Sequence, residues 1–269
     1  MSYQHLLYET DDRTALITLN RPDKMNALSL ELCDEIERAV AAADADEDVR
    51  VVVVTGAGGK AFSSGYDLVG DEEVPSIDFY ADRLRGDLRF TYCAWNCSKP
   101  VIAMIDGYCL AGGLEFAQMC DIRYCSDDAR FAVIETRFSA GVATLAMPWV
   151  IGPISRELIY SGDMIDATAA LRVGLVNRVF PKDALHAEVM KTAKRIARVS
   201  LTTLQWNKRA INETYEAMGF GTAMRSAMQA CVIADSTQTP EYADFHRMKS
   251  ERGLAAALKW RREQFAAYE

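Results

Sequence analysis

The sequence lacks any uninterrupted apolar run of about 20 residues, the length that a helix needs to cross a bilayer. Its most apolar stretch, GVATLAMPWVIGP, is short and is broken by Pro148 and Pro153. The first residues, MSYQHLLYETDDR, lack the basic and apolar regions of a secretory signal and are too acidic for a transit peptide. We therefore expect no membrane association and a cytoplasmic location.

Positive charges are outnumbered by negative ones, and histidine is scarce. The formal net charge is −8, and only 3 histidines occur in 269 residues. Binding to a phosphate backbone depends on clustered Lys and Arg, so we expect no nucleic-acid partner. None of His5, His186 and His246 has a recognisable catalytic partner. Carboxylates and backbone groups are therefore the better candidates for chemistry.

The familiar metal and nucleotide motifs are missing too. The 7 cysteines are an odd number without a histidine cluster, which predicts buried, reduced thiols and no metal site. The sequence has no GxxxxGK[ST], GxSxG or HExxH segment. TGAGG (55–59) is only a weak match to a dinucleotide-binding turn, because Ala61 stands where the third glycine belongs and no amphipathic helix follows.

Hydrophobic periodicity predicts a mixed α/β body followed by helices. Continuous apolar, β-branched runs predict buried strands at 51–55 and 101–105, and weaker signals predict strands at 15–19, 122–125 and 130–133. Ser29 is a candidate N-cap, a helix is expected to begin near Gly112 or Gly113, and an amphipathic helix covers 184–198. Residues 68–95 are expected to form a loop and then a helix. Helical patterns dominate after about residue 201.

Two turns and two acids stand out within this pattern. SSGYD (63–67) and AGG (111–113) could each present backbone N–H groups to an anion, the second at a helix start. Glu115 and Glu135 both lie among apolar neighbours, where two carboxylates can differ in proton affinity and serve as acid and base. Taken singly, each turn could be a simple tight turn and each Glu a salt-bridge partner.

Together these segments resemble the crotonase (enoyl-CoA hydratase/isomerase) superfamily over nearly the whole chain. The resemblance is carried by NRPDKMNALS (20–29), VVVVTGAGGKAFSSGYDL (51–68), the dense block 99–135 and ELIYSGDMIDATAALRVGLVNRVFP (157–181). It implies an α/β spiral of ββα units over residues 1–200. It also implies a C-terminal helical segment, 201–269, that packs subunits into a homotrimer or homohexamer.

For the site, the resemblance implies an enoyl-CoA hydratase that adds water to a trans-2-enoyl-CoA thioester. The oxyanion-hole N–H groups would belong to Ser64 and Gly112, with Glu115 as base and Glu135 as acid. CoA is then part of the substrate, and no separate cofactor or metal is needed. The residues expected to border CoA are Lys24, Ala27, Lys60, Ala61, Phe62, Ser63, Tyr66, Asp67 and Leu68.

The sequence departs from the hydratase pattern behind the second acid. Ile134 stands where Pro is usual, and SAGVATLAMPWVIG (139–152) replaces a glycine-rich segment that lines the acyl pocket in relatives. Ala257 and Trp260 stand where relatives often offer an aromatic residue and a Lys to CoA. Two alternatives therefore stay open. One is an enoyl-CoA isomerase or another single-Glu crotonase reaction, and the other is a catalytically silent acyl-CoA-binding scaffold.

Overall fold

The computed structural model describes residues 2–67 and 76–268. Its strands are β1 (Leu6–Asp11), β2 (Thr14–Leu19), β3 (Val51–Gly56), β4 (Ala61–Ser63), β5 (Val101–Ile105), β6 (Tyr108–Leu110), β7 (Ile122–Ser126), β8 (Arg130–Ala132), β9 (Ile165–Asp166) and β10 (Arg178–Phe180). Its α-helices are α1 (Leu30–Ala45), α2 (Ile77–Asn96), α3 (Gly112–Met119), α4 (Met147–Ile151), α5 (Ser155–Ser161), α6 (Ala167–Arg172), α7 (Lys182–Ile196), α8 (Leu201–Ala217), α9 (Phe220–Ser236), α10 (Pro240–Arg252) and α11 (Leu254–Glu263).

From β3 to β8, successive strands alternate between two sheets. One sheet has the order β1-β2-β3-β5-β7-β10, and the other has the order β4-β6-β8-β9. Each turn of this part of the chain gives one strand to each sheet, and α2 and α3 follow the pairs β3–β4 and β5–β6. Apart from the antiparallel pairs β1–β2 and β8–β9, all described pairings are parallel. This is the predicted spiral of ββα units.

The central strands are buried on both faces, as their continuous apolar sequences predict. Val52 and Val54 pack into the main core with α1, α3 and α9, whereas Val51 and Val53 pack against Leu185 and other residues of α7. Opposite faces of one strand therefore serve two hydrophobic clusters, because side chains alternate along a strand. The helix N-cap at Ser29 is confirmed, since its side chain accepts a hydrogen bond from Leu32 N–H.

The C-terminal helices are confirmed, and one of them enters the main body. Phe220 and Met224 of α9 belong to the main core, and α9 lies along α2. The division at residue 200 stays a prediction. Among residues 2–67 and 76–268, no helix combines the length and the hydrophobicity needed to cross a bilayer. All seven cysteines are free, and six of them are buried.

Candidate active site

The site forms where three neighbouring parallel strands of the smaller sheet end. The chain leaves β4 into the turn 63–67, β6 into the start of α3, and β8 into a short 3₁₀ helix, Ile134–Phe138. Because β4, β6 and β8 are adjacent and parallel, their carboxyl ends meet at one edge of the sheet. The topology therefore brings the two predicted turns and the two predicted acids together.

The start of α3 is shaped for a close approach to its backbone. Ala111 precedes the helix with φ +50°, a conformation that is costly for a residue with a Cβ and is seen at functional sites. The N–H groups of Gly112 and Gly113 belong to the first turn and have no acceptor within the helix. A Cβ on Gly112 would lie 2.4 Å from Cε2 of Tyr66, so only glycine fits beneath that ring.

The prediction that Ser64 supplies the second oxyanion donor is wrong. Its N–H already donates to the Met25 carbonyl oxygen at 3.0 Å. The Tyr66 N–H, two residues on, has no acceptor among the described residues. The turn that carries it lies against α3, since an added Cβ on Gly65 would be 2.5 Å from the Ala111 Cβ and 3.3 Å from the Gly112 nitrogen. A free donor beside Gly112 is therefore present, but it belongs to Tyr66.

Glu115 is buried and held by two backbone donors. Only 2% of the residue is exposed, its Oε1 accepts from Ala143 N–H at 3.0 Å, and its Oε2 accepts from Thr144 N–H at 3.1 Å. Burial, with the charge of Asp87, raises the pKa of the Glu115 carboxyl to about 7, against the lowering effect of the two N–H groups and of the Thr144 hydroxyl. Glu115 can therefore accept a proton near neutral pH.

Glu135 has no such support. The residue as a whole is half-buried, but both carboxyl oxygens are buried and lack a hydrogen-bond partner among the described residues. Burial raises the pKa of Glu135 well above its usual range, and the nearby charge of Glu115 raises it further. The protonated form is favoured, so Glu135 can donate a proton at a pH where Glu115 is partly ionised.

Two further acids near the site were not predicted from the sequence. Asp87 on α2 is 7% exposed, and burial raises its pKa to about 7 with a smaller effect of the Asp235 charge. Asp235 on α9 accepts a hydrogen bond from Gly141 N–H at 2.7 Å. One signal could have revealed Asp87, because it interrupts an apolar stripe at helical spacing that includes Leu84 and Phe90.

The predicted CoA-bordering residues divide into surface and core groups. Lys24 and Lys60 are exposed cations that can contact phosphates. Ala27, Tyr66 and Asp67 are half-buried. Ala61, Phe62 and Ser63 are buried, so a contact with CoA would be made by their backbone, and this part stays a prediction.

Other features of this region serve the fold. The Ser63 hydroxyl donates to the Asn26 carbonyl oxygen, and Asp67 forms an ion pair with Arg21 at 3.0 Å. Leu68 lies outside the described residues. Within the part of the chain that the structure describes, no group of His, Cys, Asp and Glu is arranged to hold a metal ion.

This combination of aimed N–H donors and paired carboxyls defines an enzyme-like site for a carbonyl compound that forms an enolate. A sequence profile described as "Enoyl-CoA hydratase/isomerase" matches residues 9–241, and the chain belongs to this family.

Individual relatives agree with the family. The chain is 37% identical over 222 residues to a probable enoyl-CoA hydratase of Rhizobium meliloti, covering 80% of this chain and 84% of that protein. It is 33% identical to a crotonyl-CoA hydratase of Syntrophomonas wolfei, covering 79% and 83%. A crystal structure of an enoyl-CoA hydratase/isomerase from Xanthobacter autotrophicus Py2 superposes with a TM-score of 0.94 at 38% identity, covering 98% and 99%.

Proposed function

We propose that this protein hydrates trans-2-enoyl-CoA thioesters, with Glu115 as base and Glu135 as acid. The observation that carries the proposal is the pair of buried carboxyls whose surroundings differ beside a free backbone donor on Gly112. Relatives named enoyl-CoA hydratase or crotonyl-CoA hydratase, which are 33–37% identical, support an enzyme of this type.

The mechanism follows from the charge that develops on the substrate. The thioester oxygen is received by the N–H groups of Gly112 and Tyr66, where each aimed donor stabilises an enolate by about 3 kcal/mol. Glu115 takes a proton from water as the oxygen bonds to the β-carbon. Glu135 gives its proton to the α-carbon, the enolate collapses to the saturated thioester, and a proton then passes from Glu115 back to Glu135.

The proposal also covers the contacts with CoA, the assembly and the location of the protein. The exposed Lys24 and Lys60 are placed for the phosphates of CoA, which arrives with the acyl group, so no further cofactor takes part. A homotrimer or homohexamer in the cytoplasm, without membrane or nucleic-acid partners, completes the proposal. Size-exclusion chromatography with light scattering would test the assembly.

Loss of the conjugated thioester absorbance of short- and medium-chain trans-2-enoyl-CoAs tests the reaction directly. Glu115→Gln and Glu135→Gln should each slow turnover by about 10²–10⁴-fold, the usual contribution of acid–base catalysis. Glu213→Gln is the matched control, because that side chain is 63% exposed on α8 and should leave the rate unchanged. Absence of turnover at every chain length would eliminate the hydratase proposal, and a fast Glu115→Gln variant would favour a single-acid isomerase.

A further inference from the structure

The loop 139–146 supplies both hydrogen bonds that Glu115 receives. It joins the 3₁₀ helix that carries Glu135 to α4, and its Ala143 and Thr144 N–H groups each donate to one carboxylate oxygen. Both of these residues are buried, with 3% and 1% exposed. A backbone loop has no rigid periodic structure of its own, so the position of these donors depends on what holds the loop in place.

One anchor of the loop is a pair of hydroxyl groups. The Thr144 Oγ1 lies 2.7 Å from the Thr91 Oγ1, which is an ideal length for an O–H···O hydrogen bond. Both threonines are buried, and Thr91 lies on α2 with its hydroxyl also donating to the Leu88 carbonyl oxygen at 3.0 Å. The residue that carries one of the Glu115 donors is therefore tied to a helix by its own side chain.

A second anchor lies on α9. The Asp235 carboxylate accepts from Gly141 N–H at 2.7 Å, and a Cβ on Gly141 would lie 2.8 Å from the Cα of Cys231. The loop is thus held at its start by α9 and at its middle by α2. The α2 hydrogen bond is made by Thr144, which itself donates to Glu115, whereas the α9 hydrogen bond is made by Gly141, two residues before Ala143.

We propose that Thr91 is a positioning residue for hydration, acting through Thr144 to keep two backbone N–H groups aimed at the Glu115 carboxylate. The inference rests on the proposed role of Glu115 as base. Thr91 itself is fully buried, and its hydroxyl contacts Leu88 and Thr144 and not Glu115. Its effect passes through one hydrogen bond to the loop and through the loop backbone to the carboxylate.

The charges around Glu115 explain why its two donors matter. The titratable groups that face it are Asp87 on α2, Glu135 on the 3₁₀ helix, Tyr66 after β4 and Cys231 on α9. Their negative forms oppose ionisation of Glu115, as does burial, whereas the Ala143 and Thr144 N–H groups and, to a smaller extent, the Thr144 hydroxyl favour it. Loosening the loop would therefore raise the pKa of Glu115 further and leave less ionised base at neutral pH.

The test compares Thr91→Val, Thr144→Val and the double variant with Thr91→Ser, using kcat, KM and the pH dependence of kcat/KM. Each valine variant should lower kcat by about 10- to 100-fold, the scale of a small misplacement of a catalytic group, with little change in KM. The acid limb of kcat/KM should move to higher pH, since it reports the pKa of the base in the free enzyme. Thr91→Ser should keep the parent profile, because serine retains the hydroxyl, and the double variant should be no slower than Thr144→Val alone.

Thr55→Val is the matched control, because its buried hydroxyl donates to the Met104 carbonyl oxygen at 2.8 Å on a strand next to α7. It should lower the melting temperature without moving the acid limb. A Thr91→Val variant that behaves in the same way would overturn the proposal, because Thr91 would then have only a structural role.

A second readout separates this inference from the proposed reaction. Carboxyl-carbon NMR of protein labelled at Glu, with the Glu115 signal assigned by its loss in Glu115→Gln, follows that carboxyl in any variant. A higher Glu115 pKa in Thr91→Val supports the positioning role even if no enoyl-CoA is hydrated. An unchanged Glu115 pKa overturns it, whatever the rate of the parent enzyme.

Discussion

Glu115 and Glu135 lie at the ends of neighbouring strands, yet the protein treats the two carboxyls differently. Glu115 receives two backbone hydrogen bonds from the loop 139–146, and Glu135 receives none among the described residues. Burial raises the pKa of both groups, but Glu115 has two N–H donors from another loop that favour its charged form, whereas Glu135 has only the effect of its own backbone N–H. Two glutamates are thus given different roles by their surroundings, Glu115 as a base and Glu135 as an acid.

The largest expected effect comes from replacing each acid by its amide and comparing stability at two pH values. A folded-state pKa above the unfolded value means that ionisation opposes folding, so stability falls as the pH rises from about 4.3 toward the folded pKa. Glu135→Gln cannot ionise and should melt at a higher temperature than the parent at pH 8. At pH 4 to 5 the difference should nearly vanish.

Glu115→Gln should not share this gain. Its amide can accept only one of the two backbone N–H groups, and its NH₂ would face the other donor. Differential scanning calorimetry of the two variants at both pH values checks the contrast. Equal gains in melting temperature at pH 8 would show that the two hydrogen bonds to Glu115 have no energetic weight.

Features that depend on local sequence could be predicted, and features that depend on contacts between distant segments could not. The buried strands and the start of α3 follow from local signals, namely continuous β-branched runs and a glycine pair. Strand β1 was missed, because LLYETD is mostly exposed and pairs only at one edge of the sheet. The partners of Glu115 were also missed, since Thr144 and Asp87 meet it only through long-range packing of the loop and α2.

The error at Ser64 has a similar origin. SSGYD predicted a turn that presents backbone donors, and the structure contains that turn. Which N–H is free depends on a contact with a distant segment, because the Met25 carbonyl takes the Ser64 donor. A local motif can therefore locate a donor turn, but the tertiary packing decides which residue of the turn serves.

A smaller effect is expected from Asp87→Asn, which tests the electrostatic side of the comparison. The charge of Asp87 raises the pKa of Glu115, and Asp87 itself titrates with a pKa of about 7. Removing it should move the acid limb of kcat/KM to lower pH and speed turnover by about two- to tenfold on the acid side of pH 7. Stability at pH 8 should rise as well, because a buried charge is lost.

The Glu135 carboxyl provides the internal control for this variant. Its raised pKa is caused by burial, Glu115 and Asp235. The basic limb of the profile, which reports the acid, should therefore move less than the acid limb. A shift of the basic limb alone would reverse the assignment of base and acid.

The smallest effect is expected from Gly86→Ala, which stabilises α2 without touching either acid. Gly86 is one residue before Asp87, a Cβ there meets nothing within 4 Å, and its backbone is helical. Alanine should stabilise the protein by about 0.5–1 kcal/mol, because glycine loses more backbone freedom on folding. A rise of about 1–4 °C in the melting temperature is the corresponding result.

The pH profile of Gly86→Ala tests whether a more stable α2 changes the pKa of Glu115. Since Thr91 and Asp87 already hold their places on α2 in the parent, we expect both limbs of kcat/KM to stay where they are. A stabilised variant with a shifted acid limb would mean that movement of α2, in addition to its fixed contacts, sets the basicity of Glu115. The difference between the two acids would then depend on the rigidity of the helix as well as on hydrogen bonds.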